Sequence, residues 1–130
     1  MASIRNSQIK QSEDVLRANF DASVAETFRD VWPDRVQELT EAYPKFIHDA
    51  IDRSYAQEID DDDDVDVARF VNLTLLWGLG FDESPAHPWA SRILADRTAS
   101  AGIRVELLYE RSEAELNAIS PVAALVGVFE

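Results

Sequence analysis

Five consecutive aspartates, Asp60, Asp61, Asp62, Asp63 and Asp64, are the first residues whose type and spacing suggest chemistry. Carboxylates bind divalent cations when their oxygens are spaced around a turn. A calcium loop also needs glycine at its sixth position and glutamate at its twelfth. Counted from Asp60, those positions hold Val65 and Val71. Adjacent aspartates repel one another and point in different directions. The run therefore reads as a solvated acidic loop that caps the next helix. A weak cation site or a contact with a basic partner is its functional reading.

Other reactive sets are sparse. The histidines are His48 and His87, and there is no cysteine. A zinc shell needs three or four ligands, so the starting set is poor, and thiol chemistry and disulfides are excluded. No serine sits in a Gly-x-Ser-x-Gly elbow. Gly78-Leu79-Gly80 lacks the later glycine and the strand-to-helix context of a dinucleotide loop. One carboxylate set remains, Asp82, Glu83 and His87 in the Phe81–Trp89 loop. A hydrolase would need these groups to converge on a deep pocket, and no nucleophile–base pair is legible there. The expectation is no catalytic residue, no cofactor and no metal.

Contact residues are easier to nominate. Trp32, before Pro33, reads as a partly exposed aromatic, whereas Trp77 and Trp89 read as core. The apolar run Val122-Ala123-Ala124-Leu125-Val126-Gly127-Val128-Phe129 ends beside Glu130 and could pack on its own helices or meet a partner. The candidate partner-binding residues are Asp60 to Asp64, Trp32 and Phe129.

The formal net charge of -13 comes from 25 acidic and 12 basic residues, ten of the latter arginine. A field of that sign repels nucleic-acid phosphates and anionic lipids and attracts a basic protein. The start, Met1-Ala2-Ser3-Ile4-Arg5-Asn6, lacks the apolar stretch of a secretory signal, and no segment nears the ~20 apolar residues of a membrane span. The expectation is a cytoplasmic protein whose partner is another protein, with no nucleic acid and no membrane.

These groups must be positioned by helices. The chain, 130 residues with 46% hydrophobic, has the size and composition of one domain. Residues 1–11 read as a lead and 121–130 as a tail. Ser12 reads as an N-cap, with Glu13 and Asp14 in the first turn. Leu16, Phe20, Val24, Phe28 and Val31 then follow at helical spacing. Pro33 opens a short second helix through Val36 and Leu39, and Pro44 lies in the first turn of a third that ends near Gln57. The aspartates start a fourth, with Gly78 as its C-cap in a positive-φ conformation. Pro88 opens a fifth. A sixth runs from about Ser100 to Ala118, with Ile103, Leu107, Tyr109 and Ala114 on its buried side. The fold class is all-α, a compact bundle of five or six helices with an ordered Gly/Pro loop and an apolar C-terminal tail. The expected core is Leu16, Phe20, Val24, Phe28, Ile47, Ile51, Phe70, Val71, Leu75, Trp77, Trp89, Ile93 and Leu107.

Several stretches carry a resemblance: Ile4-Arg5-Asn6-Ser7-Gln8, Asp66-Val67-Ala68-Arg69-Phe70, Trp77-Gly78-Leu79-Gly80-Phe81-Asp82, Pro85, Pro88-Trp89-Ala90, Ile93-Leu94-Ala95-Asp96 and Leu108-Tyr109. Across roughly residues 4 to 112 the chain resembles small bacterial proteins encoded beside type VI secretion spike, PAAR-tip and effector genes. The resemblance implies a role in effector loading, spike assembly or toxin protection. Three functions follow as expectations: a non-enzymatic adaptor or chaperone for an effector or spike component, an immunity protein that neutralises a basic toxin, and a hydrolase built on the Phe81–Trp89 loop.

Overall fold

The structure, a computed structural model, describes residues 2–59 and 64–119, with side chains over 13–59 and 64–118. It is all-helical, with no strand among the described residues. The elements are α1 (Ala2–Val31), α2 (Pro33–Leu39), a 3-10 turn (Thr40–Ala42), α3 (Tyr43–Ala56), α4 (Asp64–Trp77), α5 (Pro88–Ala95) and α6 (Ala101–Ile119).

Helix α1 starts ten residues earlier than its acidic signal implies. Ser12 lies inside it and is not an N-cap. No proline or glycine interrupts residues 2–31, so nothing forces a start at Ser12. The helix runs antiparallel to α3, as Arg17 meets Asp52, Asp21 meets His48 and the Ala25 carbonyl accepts from the Tyr43 hydroxyl. At 1.5 Å per residue α1 is about 45 Å long and α3 about 21 Å. Since Arg17 already sits near the end of α3, the earlier turns of α1 run beyond it. Leu16 is accordingly 68% exposed and not core.

The core lies between α3 and α4, closed by α1, the Gly/Pro loop, α5 and α6. Val24, Phe28, Ile47, Ile51, Phe70, Val71, Leu75 and Trp89 are buried as their spacing implies. Phe20, Trp77 and Ile93 pack against that core from its edge. Tyr43, Ile59, Val67, Leu73, Phe81, Leu94, Val105 and Leu108 also belong to it, with the small Ala25, Ala50, Ala90 and Ala101 between them.

Helix α6 presents the opposite face from the one expected. Its buried line is Ala101, Arg104, Val105, Leu108 and Ser112. Ile103 and Leu107 are exposed, as is Ala114, while Tyr109 is half-buried. A buried arginine and a buried serine conceal the true face from an apolar-periodicity reading, and each is held by hydrogen bonds that offset its desolvation.

Candidate functional site

The Gly/Pro loop is built before any surface can be. Gly78 ends α4 with φ +106°, its N–H donating to the Thr74 carbonyl (2.8 Å), and Gly80 adopts φ +88°. Both are conformations that an L side chain disfavours. The turn drives Phe81 inward, 5.4 Å from the Phe70 ring and 6.4 Å from Trp89. Trp89 meets Trp77 edge-on at 5.5 Å. His87 occupies the N-cap position of α5 without a side-chain capping bond; its ring packs against Trp77 (4.9 Å) and Trp89 (5.9 Å).

Asp82 has no exposed surface. It accepts from Arg53 Nε (3.3 Å), a terminal Arg53 nitrogen (2.8 Å) and Gln57 Nε2 (2.9 Å). These charge-assisted bonds replace the water that the carboxylate loses. The Asp82 hydrogen bond raises the Arg53 guanidinium above its ordinary pKa. Glu83 meets the same arginine at 3.0 Å from the solvent side. The two loop acids thus turn to Arg53 and His87 turns to the tryptophans. Beside them lies an open groove of about 500 Å³, lined by Asp49, Asp52, Arg53, Leu79, Gly80, Glu83 and Ser84. Glu83 borders it, whereas Asp82 and His87 do not.

The chain enters the aspartate run through a fixed helix end. Glu58 takes φ +58°, its N–H donates to Tyr55 (2.9 Å), and the Ile59 N–H donates to Ser54 (2.9 Å). This is the Schellman pattern, with Ile59 fully buried as its hydrophobic anchor. Two arginines bind the adjoining carbonyl of Gln57: Arg97 at 2.6 Å and Arg104 at 2.8 Å. Arg104 also reaches the carbonyls of Glu58, Leu94 and Ala99, tying the ends of α3 and α5 to α6. Asp60 to Asp63 lie outside the described residues. Asp64 is the exposed first residue of α4, where a carboxylate suits the helix dipole.

Trp32 stands elsewhere, at the α1–α2 junction. It is half-buried, and its indole N–H donates to Asn72 Oδ1 (2.7 Å). Asn72 in turn donates to the Tyr109 hydroxyl (2.9 Å), which donates to the Arg69 carbonyl (3.0 Å). Asn72 is eight residues beyond Asp64, about 12 Å along α4. Asp64 and Trp32 are therefore not brought together. Phe129 lies outside the described residues.

Several arginines are directed into the fold, whereas Arg29, Lys45, Arg92, Arg97 and Arg111 are exposed. Arg35 donates to the Leu75 carbonyl (2.9 Å). Arg69 lies 4.7 Å over the Tyr109 ring and meets Glu106 at 2.6 Å, a hydrogen bond that raises its pKa. Arg17 bridges Asp21 (2.6 Å) and Asp52 (2.9 Å), and His48 lies between the same two acids. Burial pulls the Arg17 pKa down, and hydrogen bonds from Asp21 and Asp52 outweigh it and push it up. Meanwhile Glu13, Asp14, Asp30, Asp34, Glu41, Glu110 and Glu113 are exposed.

Among the described residues no group of three histidines or acids is placed to hold a metal ion, and no helix is long and apolar enough to cross a membrane. Sequence reading missed Arg104, the Arg53–Asp82 pair and the Trp77–Ser112 bond (2.7 Å). The signal for the first and last was the 3–4 spacing of Ala101, Arg104, Val105, Leu108 and Ser112 once small and charged residues are admitted to the buried face. Of the stretches that carry the resemblance, Phe81, Asp82, Trp89 and Ala90 are buried, and Pro85 and Pro88 are exposed. Compared with protein-family models, curated proteins and solved structures, the chain matches none.

Proposed function

We propose that this protein is a non-enzymatic interaction module of the bacterial cytoplasm, an adaptor or chaperone for a basic effector or spike component of a type VI secretion system. The observation that carries the interaction role is the acidic surface. The net charge is -13, and Glu13, Asp14, Asp30, Asp34, Glu41, Glu110 and Glu113 are exposed to solvent. Such a surface accelerates encounter with a cationic protein and rejects phosphate backbones. The secretion context rests on the resemblance across residues 4 to 112. The acidic run Asp60–Asp64 is the proposed steering element.

The test is a native pull-down from the source bacterium, followed by binding to the purified effector or spike component encoded nearby. Saturable binding that weakens with salt supports the reading, and recovery of no secretion component counts against it. The same acidic field favours one second reading, an immunity protein whose carboxylates occupy the phosphate site of a basic toxin. Rescue of cells that express the neighbouring toxin distinguishes it, because an adaptor gives no rescue.

A further inference from the structure

The Gly78-Leu79-Gly80 turn holds a leucine in solvent. Both glycines take positive φ, and the chain then sends Phe81 into the core at 2% exposure while Leu79 stays 46% exposed. Leu79 lines the open groove between this loop and α3, whose volume is about 500 Å³. Asp49, Asp52 and Arg53 form the α3 wall of the groove, and Gly80 and Glu83 join Leu79 on the loop wall.

The two walls are clamped together. Arg53 donates to the buried Asp82 at 2.8 Å and meets Glu83 at 3.0 Å, so the groove exists before anything enters it. A preformed site avoids the ordering cost of a mobile one.

Charge selects the occupant. Three carboxylates line the groove against one guanidinium, and that guanidinium already faces Asp82 and Glu83. The cations at its border are Lys45 on Asp49 (2.9 Å) and Arg17 on Asp52 (2.9 Å), with His48 also beside Asp52 (3.4 Å). The Lys45 side chain is 80% exposed, so its pair is weak and readily exchanged. Oδ1 of Asp49 and Oε1 of Glu83 accept no hydrogen bond from any described residue. A second copy at -13 and a phosphate backbone are both repelled. An arginine side chain answers both features of the groove. Its alkyl stem covers apolar surface while its charged head stays in a polar setting, and that planar head bonds carboxylates through paired N–H groups.

The geometry points to this groove as the seat of one arginine of the basic partner, its stem on Leu79 and its guanidinium among the carboxylates of Asp49, Asp52 and Glu83. The assignment rests on the reading of the protein as a binder of a cationic protein. It gives that partner a recognition residue, which long-range steering does not.

The test is a titration of the full-length chain, followed by NMR of its amides, with acetyl-Leu-Arg-Leu-amide and the uncharged acetyl-Leu-Gln-Leu-amide. Saturable shifts at residues 49–53 and 79–84 with the arginine peptide alone are the expected result. Leu79→Ser and Asp49→Asn/Glu83→Gln each weaken binding by about fivefold. Leu79→Ser changes an exposed side chain and keeps the natural Tm. Glu26→Gln/Glu38→Gln, the same loss of charge on α1 and α2, changes binding by less than about twofold. Equal weakening by that control pair, equal binding of the glutamine peptide, or no saturable shift overturns the inference. Shifts centred on Asp60–Asp64 overturn it too and leave the basic-partner reading in place, since that reading fails separately, in the pull-down.

Discussion

Arg53 on α3 and Asp82 in the loop after α4 form a two-bond ion pair across 29 residues of sequence, with Asp82 wholly buried and the Arg53 head one-third exposed. The loop therefore does not depend on its prolines alone for order. Its one buried charge is bolted to the neighbouring helix.

Removing one side of that pair strands the other. Loss of one partner in a fully buried pair costs about 3–5 kcal/mol. Water at the Arg53 head screens part of this, so Arg53→Met should cost about 2–3 kcal/mol in urea unfolding. Arg53→Met/Asp82→Leu should cost less than the sum of the single changes.

Arg104 is 3% exposed and serves the carbonyls of four residues. Arg104→Met should cost about 2–4 kcal/mol, since each carbonyl left dry carries a desolvation penalty. Arg104→Lys should recover little of it, because an ammonium cannot reproduce the planar fork. Chemical denaturation of both variants checks the difference.

Trp89 is 6% exposed against Phe81, Trp77 and His87. Trp89→Ala should cost about 3–5 kcal/mol. A change within ~0.5 kcal/mol would mark a surface residue instead.

Alkali should unfold the protein through its tyrosines. Burial raises the pKa of Tyr43 and Tyr109 above the ordinary value of 10.0, and their hydroxyls donate to the carbonyls of Ala25 and Arg69. With folded pKa values above the unfolded ones, this stability is fully present below pH 10 and is lost as pH rises through the folded values. Tm measured between pH 8 and 11.5 should hold and then fall, and Tyr43→Phe/Tyr109→Phe should flatten the fall.

Steering by the acidic run predicts a kinetic signature. Asp60 to Asp64 replaced by asparagine should slow association with the basic partner and flatten its salt dependence, leaving dissociation largely unchanged. Stopped-flow mixing across a salt series measures both.

Helix positions were written locally. Pro33, Pro44 and Pro88 each sit in a first turn, Gly78 closes α4, and the four-residue spacing of Val24, Phe28, Ile47 and Ile51 points to the core. These signals act through a single residue's φ or a single helix face, so no distant partner is needed to read them. The face of α6 was different. Ile103 and Leu107 are more apolar than Arg104 and Ser112, yet they lie outside. That choice was made by the carbonyls at the end of α3 and by the indole of Trp77, which hydrogen-bond Arg104 and Ser112 and are 35 or more residues away in the chain. The burial of Asp82 likewise depends on Arg53. An isolated segment gives each polar group to water, and only the tertiary structure removes that water and supplies the partner that makes its burial tolerable.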